Sequence, residues 1–477
     1  METSQNTIPK EMLQKLLDAE KLKYCFECGI CTSSCSMAEM LGADYNPRSL
    51  LEKIFLNPEA TLASDELWLC GWCYRCHKNC PQGLKLPEIF LSLRAFALEH
   101  GYTEPVEIAL QKMVDNLPLP LVTTLVCLHP ERAGLDKDKV LTRIRELRKD
   151  AKAPRRKKSA KSSEERVAIL GSGPAGLTVA YELAQKGHIV TVFDALPESG
   201  GMLRKCIPEY RLPKQILAEE IRSITDMGVE LKNGVIIGKD VSLDDLWKDG
   251  YKAIFIALGA HKSQKLRMDG ENLKGVVDAI DFLRNVNFGE DAEIGKKVVV
   301  IGGGNVAVDA ARTALHNSAE EVIVLYRRSR EEMPANLWEV KEAEEEGVKF
   351  ELLVAPKRIL GENGHVSALE CIRMQLGEPD ESGRRKPIPT KDSEFTRQVD
   401  TVILAIGETS DLSFLSKDMM LNEDGTVWVN PVTLETSVKG IFAGGDVVTG
   451  SASVIEAIRD GKKAAISIEN YLKSIRG

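Results

Sequence analysis

Eight of the eleven cysteines in this 477-residue chain fall into two copies of one pattern, C-x2-C-x2-C-x3-C. The first copy is Cys25, Cys28, Cys31 and Cys35; the second is Cys70, Cys73, Cys76 and Cys80, followed by Pro81. That spacing holds [4Fe–4S] clusters, with three cysteines of a run on one cubane and the fourth on the other. It predicts Cys25, Cys28, Cys31 and Cys80 on one cluster and Cys70, Cys73, Cys76 and Cys35 on the second. Structural zinc competes, but a closed zinc site needs two thiolate pairs, which leaves the third and fourth cysteines of each run unexplained. A disulfide framework suits a small secreted domain, not a chain of this length without a secretory signal.

The length allows roughly three domains. A formal net charge of -8 provides no basic field for nucleic acid or an anionic membrane. The opening METSQNTIPKEMLQKLL lacks a charged segment followed by an apolar one, so no secretory signal is expected. Apolar stretches such as LPLPLVTTLVCL are short and proline-broken, below the roughly 18 residues of a membrane helix. Unpaired thiols and clusters favour a reducing compartment, and a cytoplasmic protein is expected.

Residues 9–24 have helical periodicity, with Met12, Leu13, Leu16 and Leu17 on one side. Helical segments are expected over 47–69, broken at Pro47 and Pro58, and from Glu88 to His100, ended by Gly101. Residues 102–150 read as mostly helical, interrupted at Pro118 and Pro120. The basic, serine-rich AKAPRRKKSAKSSEER, residues 151–166, reads as an exposed linker rather than a docking patch. Beyond it the pattern becomes strand–helix–strand: Val167 to Leu170, Ala175 to Lys186 and His188 to Phe193, then Lys297 to Ile301, Val306 to His316 and Glu321 to Tyr326. Ala253 to Leu258 and Thr401 to Ala405 are expected to close two parallel sheets. The expected fold class is α/β: two Rossmann-like dinucleotide-binding domains preceded by an all-α, ferredoxin-like domain for two [4Fe–4S] clusters. The expected boundaries are 1–104 for the cluster domain, 105–163 for connecting helices and linker, 164–262 and 406–477 for the first dinucleotide domain, and 263–405 for the second.

The first loop is Gly171-Ser172-Gly173-Pro174-Ala175-Gly176, between strand and helix. Gly171 permits the tight turn, Gly173 lets backbone approach a pyrophosphate, and Gly176 lets helix pack on strand. The helix N-terminus faces the phosphates, and Asp194, ending the next strand, is the expected acceptor for ribose hydroxyls. The second loop is Gly302-Gly303-Gly304-Asn305-Val306-Ala307, and its next strand ends in Tyr326-Arg327-Arg328-Ser329. No carboxylate stands in that stretch, and two guanidinium groups suit a 2′-phosphate, so this site is expected to prefer NADP(H). Finally, Ile441-Phe442-Ala443-Gly444-Gly445-Asp446, followed by Gly450-Ser451-Ala452-Ser453, runs a strand into a glycine turn, a carboxylate and a helix start. Asp446 there can bind a ribityl hydroxyl, and with the first loop this makes FAD the expected ligand of the first site.

VAILGSGPAGLTVAYELA, ESGGML, IPEYRLPK, IGGGNVAVDAAR, VLYRRSREEMPA, AIGETSDL and AGGDVVTGSASVIEAI resemble the FAD-containing small subunits of NADPH-dependent glutamate synthase. They resemble still more closely the large subunit of ferredoxin:NADP transhydrogenases, over residues 164–477. The resemblance implies FAD at the Gly171 loop, with Gly201 of ESGGML, Gly445, Asp446 and Ser453 against it. It implies NADPH at Gly302, Gly304, Asn305 and Ala307, with Arg327 and Arg328. CFECGICTSSC, YNPRSL and LWLCGWCYRCHKNCP resemble the cluster subunit of heterodisulfide reductase, over roughly residues 20–100. VCLHPER, at Cys127, looks like a remnant of the flavoprotein family's own cysteine segment; Cys206 stands where that family has glycine, as a small replacement rather than a reactive thiol, and Cys371 reads as core.

The expected function is an NADP(H)-dependent flavin and iron–sulfur oxidoreductase subunit. Hydride arrives as two electrons, the flavin converts, and clusters carry single electrons to or from ferredoxin- or NAD-reactive partner subunits. A bifurcating transhydrogenase-type complex is the first expectation, with a glutamate-synthase-type donor and a non-catalytic electron-transfer adaptor as the alternatives. The body after residue 164 has no C-x-x-C for a disulfide relay.

Overall fold

The computed structural model describes Cys25 and residues 28–150, 165–380 and 383–476. The helix expected at 9–24 and most of the linker lie outside the described residues; Arg166, assigned to the linker, opens the first strand. The chain forms two compact units. One comprises the described residues up to Gly201 with Lys214–Gly259 and 412–476; the other comprises Met202–Pro213 and Ala260–Asp411.

The cysteine runs sit among short helices of the first unit, chiefly Ser36–Leu41, Pro47–Leu56, Pro58–Leu62, Leu86–Glu99 and Glu104–Asn116. Pro47 and Pro58 start helices rather than break them, since a missing N–H costs nothing in a first turn. Asn46 caps the first, its Oδ1 accepting from the backbone N–H of Arg48 and Ser49 at 3.0 and 3.2 Å. The same oxygen accepts from the Thr32 hydroxyl at 2.8 Å, tying the first cysteine turn to this helix. Beneath them Tyr45, Leu50, Leu51, Ile54, Leu62 and Leu67 are fully buried. Pro120 likewise opens a helical turn, Pro120–Thr123, which widens into a π turn at Thr124–Leu128.

Helix Lys214–Thr225 anchors this region. Glu220 is fully buried; its carboxylate accepts from the Leu121 N–H at 2.6 Å and pairs with Arg148 at 2.9 Å. Burial wins over the Arg148 charge and pushes the carboxyl up to about 7. A raised folded-state pKa means the native protein holds the proton more tightly, so this contribution is lost as pH rises from about 4.5 to about 7. Glu220→Gln is expected to flatten the fall in thermal midpoint between pH 5.5 and 8; an identical pH slope in the variant would refute the assignment.

The first sheet is wholly parallel, ordered Ile441–Ala443, Ala253–Ile256, Arg166–Leu170, Ile189–Asp194, Glu230–Asn233. Helices Pro174–Gln185 and Val454–Ser474 pack against each other so closely that a Cβ at Gly461 would meet the Ala175 carbonyl at 2.7 Å. The second unit repeats the topology: Val276–Asp278, Thr401–Leu404, Lys297–Ile301, Glu321–Tyr326, Lys349–Leu352, all parallel. Ala253–Ile256 and Thr401–Leu404, expected to close the sheets, sit one strand in from the edge, covered by Ile441–Ala443 and Val276–Asp278. Their four residues are all buried, as strands flanked on both sides require. Unforeseen is an antiparallel set, Val354–Glu362, His365–Pro379, Arg385–Pro389 and Phe395–Gln398, inserted before the last parallel strand.

Candidate functional site

The two cysteine runs fold as the same turn. Gly29 and Tyr74 take left-handed conformations at φ 65° and 59°, and each opens a single helical turn, Ile30–Ser33 and Arg75–Lys78, carrying Cys31 and Cys76. Tyr74 adopts this shape against the cost of its Cβ. The turns cross-associate. Burial pushes the Cys25 thiol up to about 12, and next the proximity of Cys80, Cys28 and Cys31. Burial also raises Cys35 to about 12 and Cys73 to about 11, and the cysteines that add to it are Cys70 and Cys73 for the first and Cys70 for the second. Cys76 is raised by burial, then Cys70, Cys73 and Cys35. Two groups result: Cys25, Cys28, Cys31 and Cys80, with Cys28 exposed, and Cys35, Cys70, Cys73 and Cys76.

Backbone N–H groups of Met37 and Ala38 point at the Cys35 sulfur, and that of Arg75 at Cys73. Around the second group Ser36 Oγ, Trp68 Nε1, Tyr74 OH and Arg75 Nε are buried without a hydrogen-bond partner. Converging thiols with orphaned donors beside them fit a sulfide-bearing cluster, whose sulfurs accept hydrogen bonds.

The second group lies against the head of helix Val454–Ser474. Ser453 caps that helix in a box with Glu456, its hydroxyl 2.6 Å from the carboxylate. Glu456 is also paired with Arg75, between Cys73 and Cys76. Glu39, four residues past Cys35, pairs with Arg459 and Lys463 at 3.6 Å each. A Cβ at Gly71 would touch Ile455 at 3.4 Å. Nothing in the sequence spacing announced this joint; Arg75 and Glu456 lie 381 positions apart.

Both glycine loops sit where their sheet's strand order reverses, the place where open α/β sheets bind ligands. A Cβ at Gly171, at φ 107°, would meet the Ala257 carbonyl at 2.3 Å; one at Gly302, at φ 153°, would meet the Ala405 carbonyl at 2.2 Å. A Cβ at Gly176 would lie 1.9 Å from the Gly171 carbonyl, so helix and strand touch there. Gly173 is different: nothing lies within 4 Å of its would-be Cβ, and at Gly304 the nearest atom is at 4.0 Å. These are open cradles beside helix N-termini, fitting a pyrophosphate.

Asp194 is buried, and its carboxylate holds the loop from within. It accepts from the Ser172 N–H at 2.7 Å, from the Ser172 hydroxyl, and from the Leu196 N–H at 2.8 Å. About one of its four acceptor positions remains for a ribose hydroxyl. Ser172 Oγ in turn accepts from the Gly200 N–H at 2.9 Å, and Gly201, at φ 52°, comes within a would-be 2.8 Å of Gly173. Gly445 packs on Ala175, and its N–H donates to Asp460 at 3.1 Å. Asp446 opens the short helix Asp446–Thr449 and accepts from the Ala452 N–H at 3.3 Å. Ser453 is engaged with Glu456 rather than standing free toward a flavin.

At the second loop Asn305 Oδ1 accepts from the Asn336 N–H at 2.9 Å, and Ala335 N–H donates to the Gly303 carbonyl at 3.0 Å. The segment Met333–Asn336, of which Met333–Ala335 close the VLYRRSREEMPA motif, therefore forms a wall of the site. Ala307 is buried in the helix. The arginine pair divides. Arg328 is buried, donating from Nε to the Arg385 carbonyl at 2.8 Å and pairing with Asp380 at 2.5 Å. Arg327 is exposed. Carboxylates from outside the Tyr326–Ser329 stretch gather beside it, each already engaged: Glu331 and Glu332 take the Ser329 hydroxyl, Glu332 pairs with Arg385, and Asp380 arrives from the antiparallel strands. Cys206 is packed in the core of the second unit, its sulfur 3.5 Å from Met202 Sδ, and burial holds Cys371 up at about 12.

Comparisons with known proteins agree with this architecture. The pyridine nucleotide-disulphide oxidoreductase family matches residues 165–461, and the 4Fe-4S dicluster domain matches residues 21–84. The chain is 40% identical over 431 residues to the NADP(+)-dependent formate dehydrogenase subunit beta of Moorella thermoacetica, covering 83% of this chain and 60% of that protein. It is 40% identical to the NADPH-Fe(3+) oxidoreductase subunit beta of Geobacter sulfurreducens, over 83% of this chain and 63% of that one. The chain thus spans less than two thirds of both relatives. Against the glutamate synthase [NADPH] small chain of Escherichia coli it is 39% identical, over 66% of this chain and 70% of that one. In fold it is similar to Mycobacterium tuberculosis FprA in complex with NADPH (19% identity, TM-score 0.58, 66% of this chain and 85% of that one). The thioredoxin reductase of Lactococcus lactis matches at 22% identity and TM-score 0.52, over 65% and 100%. The resemblance to glutamate synthase small subunits stands, as does that to a two-cluster module. The chain is an oxidoreductase whose cofactors are FAD, a nicotinamide nucleotide and two [4Fe–4S] clusters, and it belongs to the pyridine nucleotide-disulphide oxidoreductase family, with a 4Fe–4S dicluster domain ahead of the flavoprotein body.

Proposed function

We propose that this chain is the NADP(H)-reactive subunit of a multi-subunit complex, exchanging electrons with its partners through two clusters. The observation that carries this is the Arg75–Glu456 joint, which sets the second cysteine group on the helix that also closes the first dinucleotide site. When bound, the nucleotide supplies hydride, the flavin exchanges two electrons for one, and the clusters carry them singly. Gly171, Gly173, Gly176, Asp194, Gly201, Gly445 and Asp446 hold FAD, with Ser453 ordering the helix start. Gly302, Gly304, Asn305 and Ala307 shape the nucleotide loop. Arg327 meets the 2′-phosphate, and Arg328, fixed by Asp380, holds the strand end in place. Cys35, Cys70, Cys73 and Cys76 ligate the inner cluster; Cys25, Cys28, Cys31 and Cys80 ligate the outer one, with exposed Cys28 on the partner side.

The complex is of the bifurcating transhydrogenase type, with a second, ferredoxin- or NAD-reactive subunit. Similarity to the glutamate synthase small chain supports the alternative of an amidotransferase partner. Mass measurement of the intact anaerobic complex, with subunit, iron and FAD stoichiometry, separates them; a stable lone chain with no co-purifying redox subunit would contradict both. Arg327→Ala is expected to raise KM for NADPH about tenfold, roughly 1.4 kcal/mol, with kcat, flavin content and NADH use unchanged. Equal losses with NADH would place Arg327 outside 2′-phosphate recognition.

A further inference from the structure

Arg94, in helix Leu86–Glu99, is 2% exposed. Its donors all go to backbone carbonyls: Nε to Leu67 at 2.8 Å, Nη2 to Cys70 at 3.0 Å and Nη1 to Leu128 at 3.4 Å. The guanidinium sits 5.6 Å from the Trp68 ring centroid. Among the described residues no carboxylate pairs with it. Among the described residues the other deeply buried arginines each have one: Arg312 has Glu339, Glu342 and Glu346, and Arg328 has Asp380. A guanidinium does not give up its charge in a protein, and a buried charge without a counter-charge is strongly disfavoured. The ionisable groups acting on Arg94 are Cys70 and Tyr45. Tyr45 is also fully buried, and its hydroxyl donates to the Cys70 sulfur.

Resting on the ligand sets given above, we propose that Arg94 is the built-in counter-charge of the cluster held by Cys35, Cys70, Cys73 and Cys76, and that with Tyr45 it makes this cluster the more oxidising of the two. Four thiolates around a cubane carry net negative charge, and reduction adds one more. A fixed cation at Cys70 and a donor to its sulfur therefore stabilise the reduced form more than the oxidised form. The first group is furnished differently: beyond burial, the largest influences on Cys25 and Cys31 are Cys80, Cys28 and Thr32. Electrons entering the module thus settle first at the cluster beside Glu456.

The test is a potentiometric EPR titration of the full chain in wild type, Arg94→Gln, Arg94→Lys and Tyr45→Phe, each with iron measured. In Arg94→Gln with about eight irons retained, the reduction equilibrium of one cluster is expected to fall about tenfold, a shift of about 59 mV for one electron. The other cluster stays put, Tyr45→Phe moves the same cluster less, and Arg94→Lys stays nearest wild type. Unmoved midpoints in iron-replete Arg94→Gln would overturn the proposal. Should that variant lose a cluster outright, unmoved midpoints in iron-replete Tyr45→Phe overturn it instead. A wild-type chain without two clusters would overturn the ligand sets, a separate failure.

Discussion

Cys35→Ser is expected to remove the cluster of Cys70, Cys73 and Cys76, not that of its own run. Iron falls from about eight to about four per chain, the flavin remains reducible by NADPH, and one-electron throughput collapses because the inner station is gone. The grouping of Cys35 with Cys70 and Cys73, and of Cys25 with Cys80, makes the outcome specific. Pairing the substitution with a second one reads it out. Cys35→Ser with Cys70→Ser strikes the same cluster twice and keeps about four irons, whereas Cys35→Ser with Cys28→Ser strikes both and keeps about none. If each run instead closed on itself, these two results would be exchanged. The expected loss is large, and is shared by Cys70→Ser, Cys73→Ser and Cys76→Ser, since three thiolates leave an open corner on a buried cluster.

Gly173→Ala is expected to leave the protein folded and empty it of flavin. Gly173 has φ −70°, which any residue adopts, and nothing lies within 4 Å of an added methyl. The methyl would occupy only the space kept for the pyrophosphate. Gly176→Ala acts otherwise, because its methyl would sit 1.9 Å from the Gly171 carbonyl and strain the fold itself, by roughly 1–3 kcal/mol. Flavin content and thermal midpoint together separate the two: Gly173→Ala loses FAD at nearly unchanged apoprotein stability, whereas Gly176→Ala loses both. Gly304→Ala is the counterpart in the second unit, keeping FAD and losing reduction by NADPH. Full flavin content in Gly173→Ala would remove the first loop from the FAD site.

Regular strands with strong apolar runs were legible in the sequence. Lys297–Ile301 and Glu321–Tyr326 lie where the pattern put them, because buried parallel strands leave little room for register error. The antiparallel strands between Val354 and Gln398 escape the pattern, since buried, half-buried and exposed residues mix along the two long ones, Val354–Glu362 and His365–Pro379, without clean alternation. Prolines misled where they sit at helix starts, as at Pro47 and Pro58. The cysteine spacing implied a crossed grouping; in the fold Cys25 lies near Cys80 as well as Cys28 and Cys31, and Cys35 near Cys70 and Cys73. Side-chain commitments were illegible: that Arg328 is spent on Asp380, that Ser453 is spent on Glu456, and that Glu456 reaches Arg75 all depend on residues far apart in the chain.

The central claim is that one chain connects NADP(H) to two clusters, the inner one beside helix Val454–Ser474. Anaerobic addition of NADPH to the iron-replete holoprotein, followed by absorption and EPR, tests it most directly. The expected result is loss of oxidised-flavin absorption together with the EPR signal of a reduced [4Fe–4S] cluster that Cys35→Ser abolishes. Flavin bleaching with no cluster signal, or a spectrum indifferent to NADPH, would contradict it.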